Sequence, residues 1–146
     1  MTSRLAHGQV PTMRLEFFMP MVPPTLTHQA KELAVTRSGK PIMHDSAELK
    51  AVKAKLAAHL AGHVPDRPFS GAVRLVHAWY WPCADTSHDA GSWRITKPDT
   101  DNIAKSLKDC METVGFFETG DQQVAEETIR KFWADVPGIY VLIEEL

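Results

Sequence analysis

The run Lys97-Pro98-Asp99-Thr100-Asp101-Asn102-Ile103-Ala104-Lys105-Ser106-Leu107-Lys108-Asp109-Cys110-Met111-Glu112-Thr113-Val114-Gly115 decides how the chain is read. Pro98 disfavours helical geometry at Lys97, so the backbone arrives extended and turns into a helix at Asp99-Thr100-Asp101. Ile103, Leu107, Cys110, Met111 and Val114 then recur at helical spacing until Gly115 stops the pattern. At about 100° per residue, Asp101, Lys105, Lys108, Asp109 and Glu112 fall on the opposite face. The helix therefore has one apolar face for a core and one ordered polar face.

Strand-like segments stand on both sides of it. Upstream, Ala72 to Trp81 sets Val73, Leu75, His77, Trp79 and Trp81 on one side, the pattern of a half-buried strand, with His77 read as a satisfied core or edge residue. Downstream, Val124 to Trp133 reads as a strand, Val136-Pro137-Gly138 as a turn and Ile139 to Ile143 as a further strand, together a C-terminal hairpin. Nearer the N-terminus, Leu15-Glu-Phe-Phe-Met19 is a short strand closed by Pro20, and Pro23 to Gln29 is a loop because its prolines lack amide donors. Arg37-Ser38-Gly39-Lys40-Pro41 reads as a basic turn. Asp45 with Glu48 resembles a capping box ahead of Leu49, Val52, Leu56 and Leu60, a helix stopped by Gly62 with Lys50, Lys53 and Lys55 on its exposed side. Pro82 to Lys97 lacks periodicity and reads as a long mobile loop. The order β-α-β-α-β-β predicts an α+β single domain over 1–146, with a small mixed β-sheet of about four strands packed with two main helices. Residues 1–12 are expected to form a flexible N-terminal arm.

With 146 residues, 44% hydrophobic and 23% charged, the chain can bury one core but not two ordinary ones. It has no apolar run long enough to span a bilayer, and Met1 to Val10 carries Arg4, His7 and Gln9 instead of an apolar signal region. Cys83 and Cys110 form neither a disulfide framework nor a zinc motif. The expectation is a protein of the reducing cytoplasm with no membrane partner. The net charge of −2 conceals an asymmetry: residues 1–98 hold 12 Lys or Arg against 7 Asp or Glu, whereas residues 99–146 hold 4 against 11. A basic part beside a carboxylate-rich part is consistent with a polyanion-binding surface next to a metal site, and equally with ordinary surface variation.

Two carboxylates, Asp99 and Asp101, meet at the start of the central helix. Capping and the helix dipole account for one of them without any function, and Asp101 with Lys105 also fits a surface i,i+4 pair. The chemical alternative is a Mg²⁺ site, since this ion takes oxygen ligands, keeps several waters and needs only two or three carboxylates from different elements. Asp121, at the start of the next strand, is a candidate third ligand. Lys105, on the same face as Asp101, would then stabilise charge developing on a phosphate or leaving oxygen.

Lys97-Pro98-Asp99-Thr100-Asp101-Asn102, Lys105 and Asp109, followed by Gly115-Phe116-Phe117, Asp121-Gln122-Gln123-Val124 and then Lys131, closely resemble the RusA family of Holliday junction resolvases, endonucleases common in prophages. The resemblance implies a homodimeric, Mg²⁺-dependent nuclease, with Mn²⁺ as a possible substitute, that nicks four-way DNA junctions symmetrically. It implies Asp99, Asp101 and Asp121 as metal-binding carboxylates, Lys105 as the catalytic lysine, and Asn102, Asp109 and Lys131 as supports. The basic first part then supplies phosphate contacts, with Lys31, Arg37 and Lys40 as candidates and Thr27, His28 and Gln29 in a loop near the DNA. For His28 the plain reading is a solvent-exposed loop residue, and Trp93 is either core or a stacking platform. The family usually has two adjacent aspartates before x-Gln-Val, where this chain has Gly120-Asp121, and Glu118 is a candidate replacement. Gly120 and the negative net charge also motivate the alternative of a catalytically decayed, branched-DNA-binding relative.

Overall fold

The computed structural model describes residues 12–26 and 31–146. The strands are β1 (Arg14–Pro20), β2 (Lys31–Val35), β3 (Pro41–Asp45), β4 (Val73–Pro82), β5 (Val124–Ala134) and β6 (Gly138–Glu145). The helices are α1 (Ala47–Ala61) and α2 (Thr100–Val114), and a single 3-10 turn, Asp121–Gln123, leads into β5. Four strands form one sheet in the order β1-β6-β4-β5, and β2 with β3 forms a separate two-stranded sheet. The fold is α+β, with a mixed sheet and two helices. The expected N-terminal arm lies, apart from Thr12, outside the described residues, as do Thr27, His28 and Gln29.

The expected C-terminal hairpin does not form. β5 pairs in parallel with β4, and β6 lies on the other side of β4, antiparallel to both β4 and β1. A tight hairpin needs residues with positive φ at the centre of its turn, which Val136 and Pro137 do not supply, Pro being fixed near −65°. The segment 135–137 instead steps across the end of β4, where Pro82 has no amide to donate. β4 thus gains a partner on each edge, which suits a strand buried from Val73 to Trp81 except at Arg74 and Tyr80. β4, α2 and β5 form a parallel crossover unit, and that connection brings α2 against β5.

Hairpin β2–β3 adds two strands around the basic turn, which closes with Thr36 N–H donating to Lys40 O at 2.8 Å. Periodicity gave no sign of these strands because Leu33, Val35 and Met43 do not pack on the core: all are more than 60% exposed. α1 is capped by Ser46, not by Asp45; Ser46 Oγ accepts from Leu49 N–H at 3.1 Å, while Asp45 ends β3 and takes Lys53 Nζ at 2.9 Å. Lys53 is therefore half-buried between helices rather than on a solvated face, since Asp109 of α2 also lies 3.7 Å away. Burial works against its charge, but the bond to Asp45 and the fields of Asp45 and Asp109 raise its pKa overall.

Both helices cover the same side of the large sheet. Leu56 and Leu60 of α1 and Ile103, Leu107 and Met111 of α2 pack in one cluster with Met19, Trp79, Ile139 and Val141. β1 approaches β6 closely at Gly138, where any Cβ would stand 2.1 Å from the Phe18 ring. On the uncovered face Phe18, Tyr80, Phe132 and Trp93 form a row, with ring centroids 6.2, 5.4 and 4.6 Å apart in turn. Trp93 is 64% exposed at the end of that row, so it is not core.

Candidate active site

The segment before α2 is pinned rather than loose. Gly91 N–H donates to Trp133 O, Trp133 N–H to Ser92 O and Arg94 N–H to Lys131 O, all at 2.7–3.0 Å, so residues 91–94 cover the outer edge of β5. Arg94 lies over the rings of Trp81 and Trp133, 4.4 and 4.5 Å from their centroids. Lys131 Nζ donates to Thr96 O at 2.7 Å and to Pro98 O at 2.6 Å, bracketing the cis Lys97–Pro98 peptide. Burial, with Arg94 nearby, pulls the Lys131 pKa down against the opposing field of Asp99. Lys131 thus holds the backbone that delivers Asp99. Replacing it with methionine is expected to keep the fold and loosen this segment, read as faster amide exchange at Thr96 and Asp99; unchanged exchange would contradict it.

Asp99 is the N-cap of α2 by backbone, its carbonyl accepting from Ile103 N–H at 3.2 Å, but its side chain makes no capping bond. The carboxylate is half-exposed, with Lys97 Nζ 3.4 Å from Oδ2. Asp101 follows in the first turn, exposed. Lys105 turns towards Asp109, at 2.9 Å, and Asp121, at 4.0 Å, and not towards Asp101. The hydrogen bond to Asp109 raises the Lys105 pKa, with Asp121 and Glu112 adding to it against partial burial, so the ammonium stays charged at neutral pH.

Asp101, Lys105 and Asp121 line one cleft of about 430 Å³ with Thr100, Ala104, Lys108, Glu127 and Ile129. Asp99 is outside that lining. Asn102 is buried in α2, 3% exposed, and Asp109 links Lys105 to Lys53 of α1. Lys31 begins β2, and Arg37 and Lys40, exposed in the β2–β3 turn, are not part of the cleft lining.

Asp121 is held by two residues to which the sequence had given no task. Its N–H donates to Glu112 Oε1 at 2.8 Å. Gln123, 8% exposed, accepts from Thr119 N–H at 2.7 Å and Gly120 N–H at 3.3 Å and donates through Nε2 to Phe69 O and Gly71 O, both at 2.9 Å. Gln123→Leu strands those backbone groups and is expected to cost about 2–4 kcal/mol in urea unfolding. A loss below about 1 kcal/mol would show that Gln123 is not the staple of this loop.

Gly120 itself has φ 140°, and a Cβ there would stand 2.8 Å from Glu112 Oε1. The carboxylate beside this position is therefore Glu112 rather than Glu118. Sequence reading also passed over Glu127, whose carboxylate takes His77 Nε2 at 2.8 Å and Lys108 Nζ at 3.0 Å. His77 is buried and satisfied, as expected.

Among the described residues no three acidic, histidine or cysteine side chains are gathered tightly enough to cage an ion. The donor set still fits a hard divalent cation, because Asp101 and Asp121 offer oxygen only and share a cleft with room for water. Mg²⁺ characteristically takes one or two carboxylates and keeps the rest of its shell as water. No helix among the described residues is long and apolar enough to cross a membrane.

A family model described as endodeoxyribonuclease RusA matches residues 19–144, most of the chain. The protein is also 27% identical over 128 residues to the uncharacterized protein YqaN of Bacillus subtilis strain 168, an alignment covering 81% of this chain and 89% of that one.

Proposed function

This chain belongs to the RusA endodeoxyribonuclease family, and we propose that it is a metal-dependent, structure-specific nuclease that resolves four-way DNA junctions by symmetric phosphodiester hydrolysis, in recombination and repair. The observation that carries this reading is the meeting of Asp101, Lys105 and Asp121 in one open cleft, drawn from α2 and from the turn before β5. In it Asp101 and Asp121 hold Mg²⁺, or Mn²⁺ in its place, with Asp99 at the rim as the third carboxylate. When bound, the ion polarises the phosphodiester and helps to supply the hydrolytic nucleophile.

The protein's own side chains do the rest. Lys105, kept protonated by Asp109 and Asp121, faces the charge that builds on the phosphoryl oxygens as water adds and the ester bond breaks. Lys131 holds the backbone ahead of the helix, Asn102 is a buried support on α2, and Asp109 keeps Lys105 on the cleft side. The exposed β2–β3 turn, with Arg37 and Lys40 and with Lys31 at its base, meets backbone phosphates of the junction arms.

A four-way junction offers two equivalent strands, so a twofold homodimer supplies one site to each. The exposed apolar side chains Leu33, Val35 and Met43 on the hairpin support such self-association. Light scattering at micromolar concentration should give twice the 16.3 kDa chain mass; monomer alone would contradict the pairing.

The decisive test is cleavage of an end-labelled synthetic four-way junction and a matched linear duplex, with Mg²⁺ or with EDTA. Paired symmetric nicks in the junction alone, and with metal alone, are the expected result. Metal-independent binding without nicks on any branched substrate would replace this reading with that of a non-catalytic branched-DNA-binding protein.

A further inference from the structure

We propose that Glu127 is a further catalytic residue, orienting the attacking water, and that His77 and Trp79 are positioning residues acting through it. The proposal rests on the nuclease reading above and adds a group that lies outside the motif Asp99 to Asp121. Glu127 lines the same cleft as Asp101, Lys105 and Asp121, from the opposite wall, on β5.

The wiring behind it is unambiguous in direction. Trp79 Nε1 lies 2.7 Å from His77 Nδ1. An indole nitrogen can only donate, so Nδ1 must be the acceptor and the imidazole carries its proton on Nε2. That Nε2–H donates to Glu127 Oε2 at 2.8 Å, while Lys108 Nζ donates to Oε1 at 3.0 Å. The carboxylate is therefore fixed at both oxygens, one from the core and one from α2. A carboxylate accepts about four hydrogen bonds, which leaves lone pairs free for water on the cleft side.

Stability alone does not ask for this chain. Trp79 and His77 are both fully buried, and a hydrogen-bonded polar pair in a core is commonly no more stable than well-packed apolar residues of the same volume. What the pair achieves is to hold a single carboxylate rotamer in the cleft, the kind of support by which an oriented group keeps its geometry. Burial pushes the His77 pKa down and Lys108 adds to it, outweighing the opposing pull of Glu127, so the ring stays neutral and the tautomer stays fixed.

In the step proposed, water donates a hydrogen bond to Glu127 and its oxygen bonds to phosphorus. The phosphorus bond to the leaving oxygen breaks, the proton of the water passes to Glu127 and on to solvent, and the leaving oxygen takes a proton from solvent. Lys105 faces the charge on the phosphoryl oxygens throughout.

The test compares the wild type with Glu127→Gln, Trp79→Phe and the double variant on the four-way junction at saturating Mg²⁺. Glu127→Gln is expected to lower kcat by about 10²-fold, with metal-free junction affinity and the Mg²⁺ half-saturation point unchanged. Trp79→Phe deletes only the N–H, lowers kcat several-fold, and adds nothing in the Glu127→Gln background. A nitrogen-15 spectrum of the wild type should show His77 protonated on Nε2 alone.

A kcat for Glu127→Gln within threefold of wild type overturns the proposal, as does recovery of its activity by more Mg²⁺, which would make Glu127 a metal ligand instead. Protonation on Nδ1 overturns the positioning chain. Trp79→Phe failing to fold leaves Glu127→Gln, at a partly exposed position, to decide the matter. If the wild type cleaves no branched DNA, the nuclease reading itself fails; if it cleaves and Glu127→Gln matches it, only the present inference does.

Discussion

Asp101→Asn and Asp121→Asn each lower junction cleavage by about 10²–10³-fold or more while leaving the thermal midpoint and metal-free junction affinity close to wild type. The substitution keeps the side-chain volume and removes the charge, and neither carboxylate is spent on the fold. Asp101 is exposed in the first turn of α2 and Lys105 does not pair with it. Asp121 is fixed through its backbone N–H by Glu112, and its carboxylate, 4.0 Å from Lys105 Nζ, stands in the cleft. Lys105 keeps Asp109 at 2.9 Å in either variant and stays in place. The measurement is single-turnover cleavage with Mg²⁺, paired with calorimetry and with junction binding in EDTA. Activity above a tenth of wild type would remove that carboxylate from the site. Asp99→Asn belongs in the same experiment, because Asp99 stands outside the cleft lining with Lys97 for company. A loss as large as that of Asp101→Asn makes it a third ligand at the rim.

What the sequence made legible follows from where burial writes a pattern. α2 was readable to the residue because one apolar face meets the core and Gly115 ends it. β1, β4, β5 and β6 were found within a residue or two for the same reason. Strand pairing was not, since the order β1-β6-β4-β5 depends on which edge of β4 each neighbour takes, and no local pattern encodes that choice. Hairpin β2–β3 escaped because Leu33, Val35 and Met43 face outward. The expected loop mobility ahead of α2 gave way to long-range bonds from Lys131 and β5, which composition cannot announce. In the site, the motif named Asp101, Lys105 and Asp121 in the cleft and Lys131 and Asp109 as supports, but gave no role to Glu112, Gln123 or Glu127. Gln123 sat in the motif without a task, and Glu127 and His77 lie 50 positions apart. Their pairing exists only because β4 and β5 run in register, with His77 opposite Ile129.

Gly120→Asp, which restores the acidic residue usual in the family, is expected to destabilise this protein by about 3 kcal/mol or more, a fall of roughly 6–12 °C in Tm. The backbone at Gly120, φ 140° and ψ 178°, belongs to a region essentially reserved for glycine, so any side chain carries about 1–3 kcal/mol of strain. The new Cβ would also stand 2.3 Å from Gln122 Oε1 and 2.8 Å from Glu112 Oε1. Gln122 is exposed and swings away at little cost, but Glu112 is tied to Asp121 N–H, and a second carboxylate beside it adds like-charge repulsion. Three variants separate these contributions. Gly120→Ala carries the strain and the Cβ contacts; Gly120→Asp adds the repulsion; Gly120→Asp with Glu112→Ala removes the repulsion and the Glu112 contact but keeps the strain, so it should recover to at least about the level of Gly120→Ala. The double variant also leaves Asp121 N–H without its acceptor, and its cleavage rate should therefore stay low even where the protein is fully folded. Gly120→Asp as stable as wild type would mean that the turn before β5 adopts an ordinary backbone conformation with room for an acid. Glu112 would then not be the group that fills the space beside Asp121.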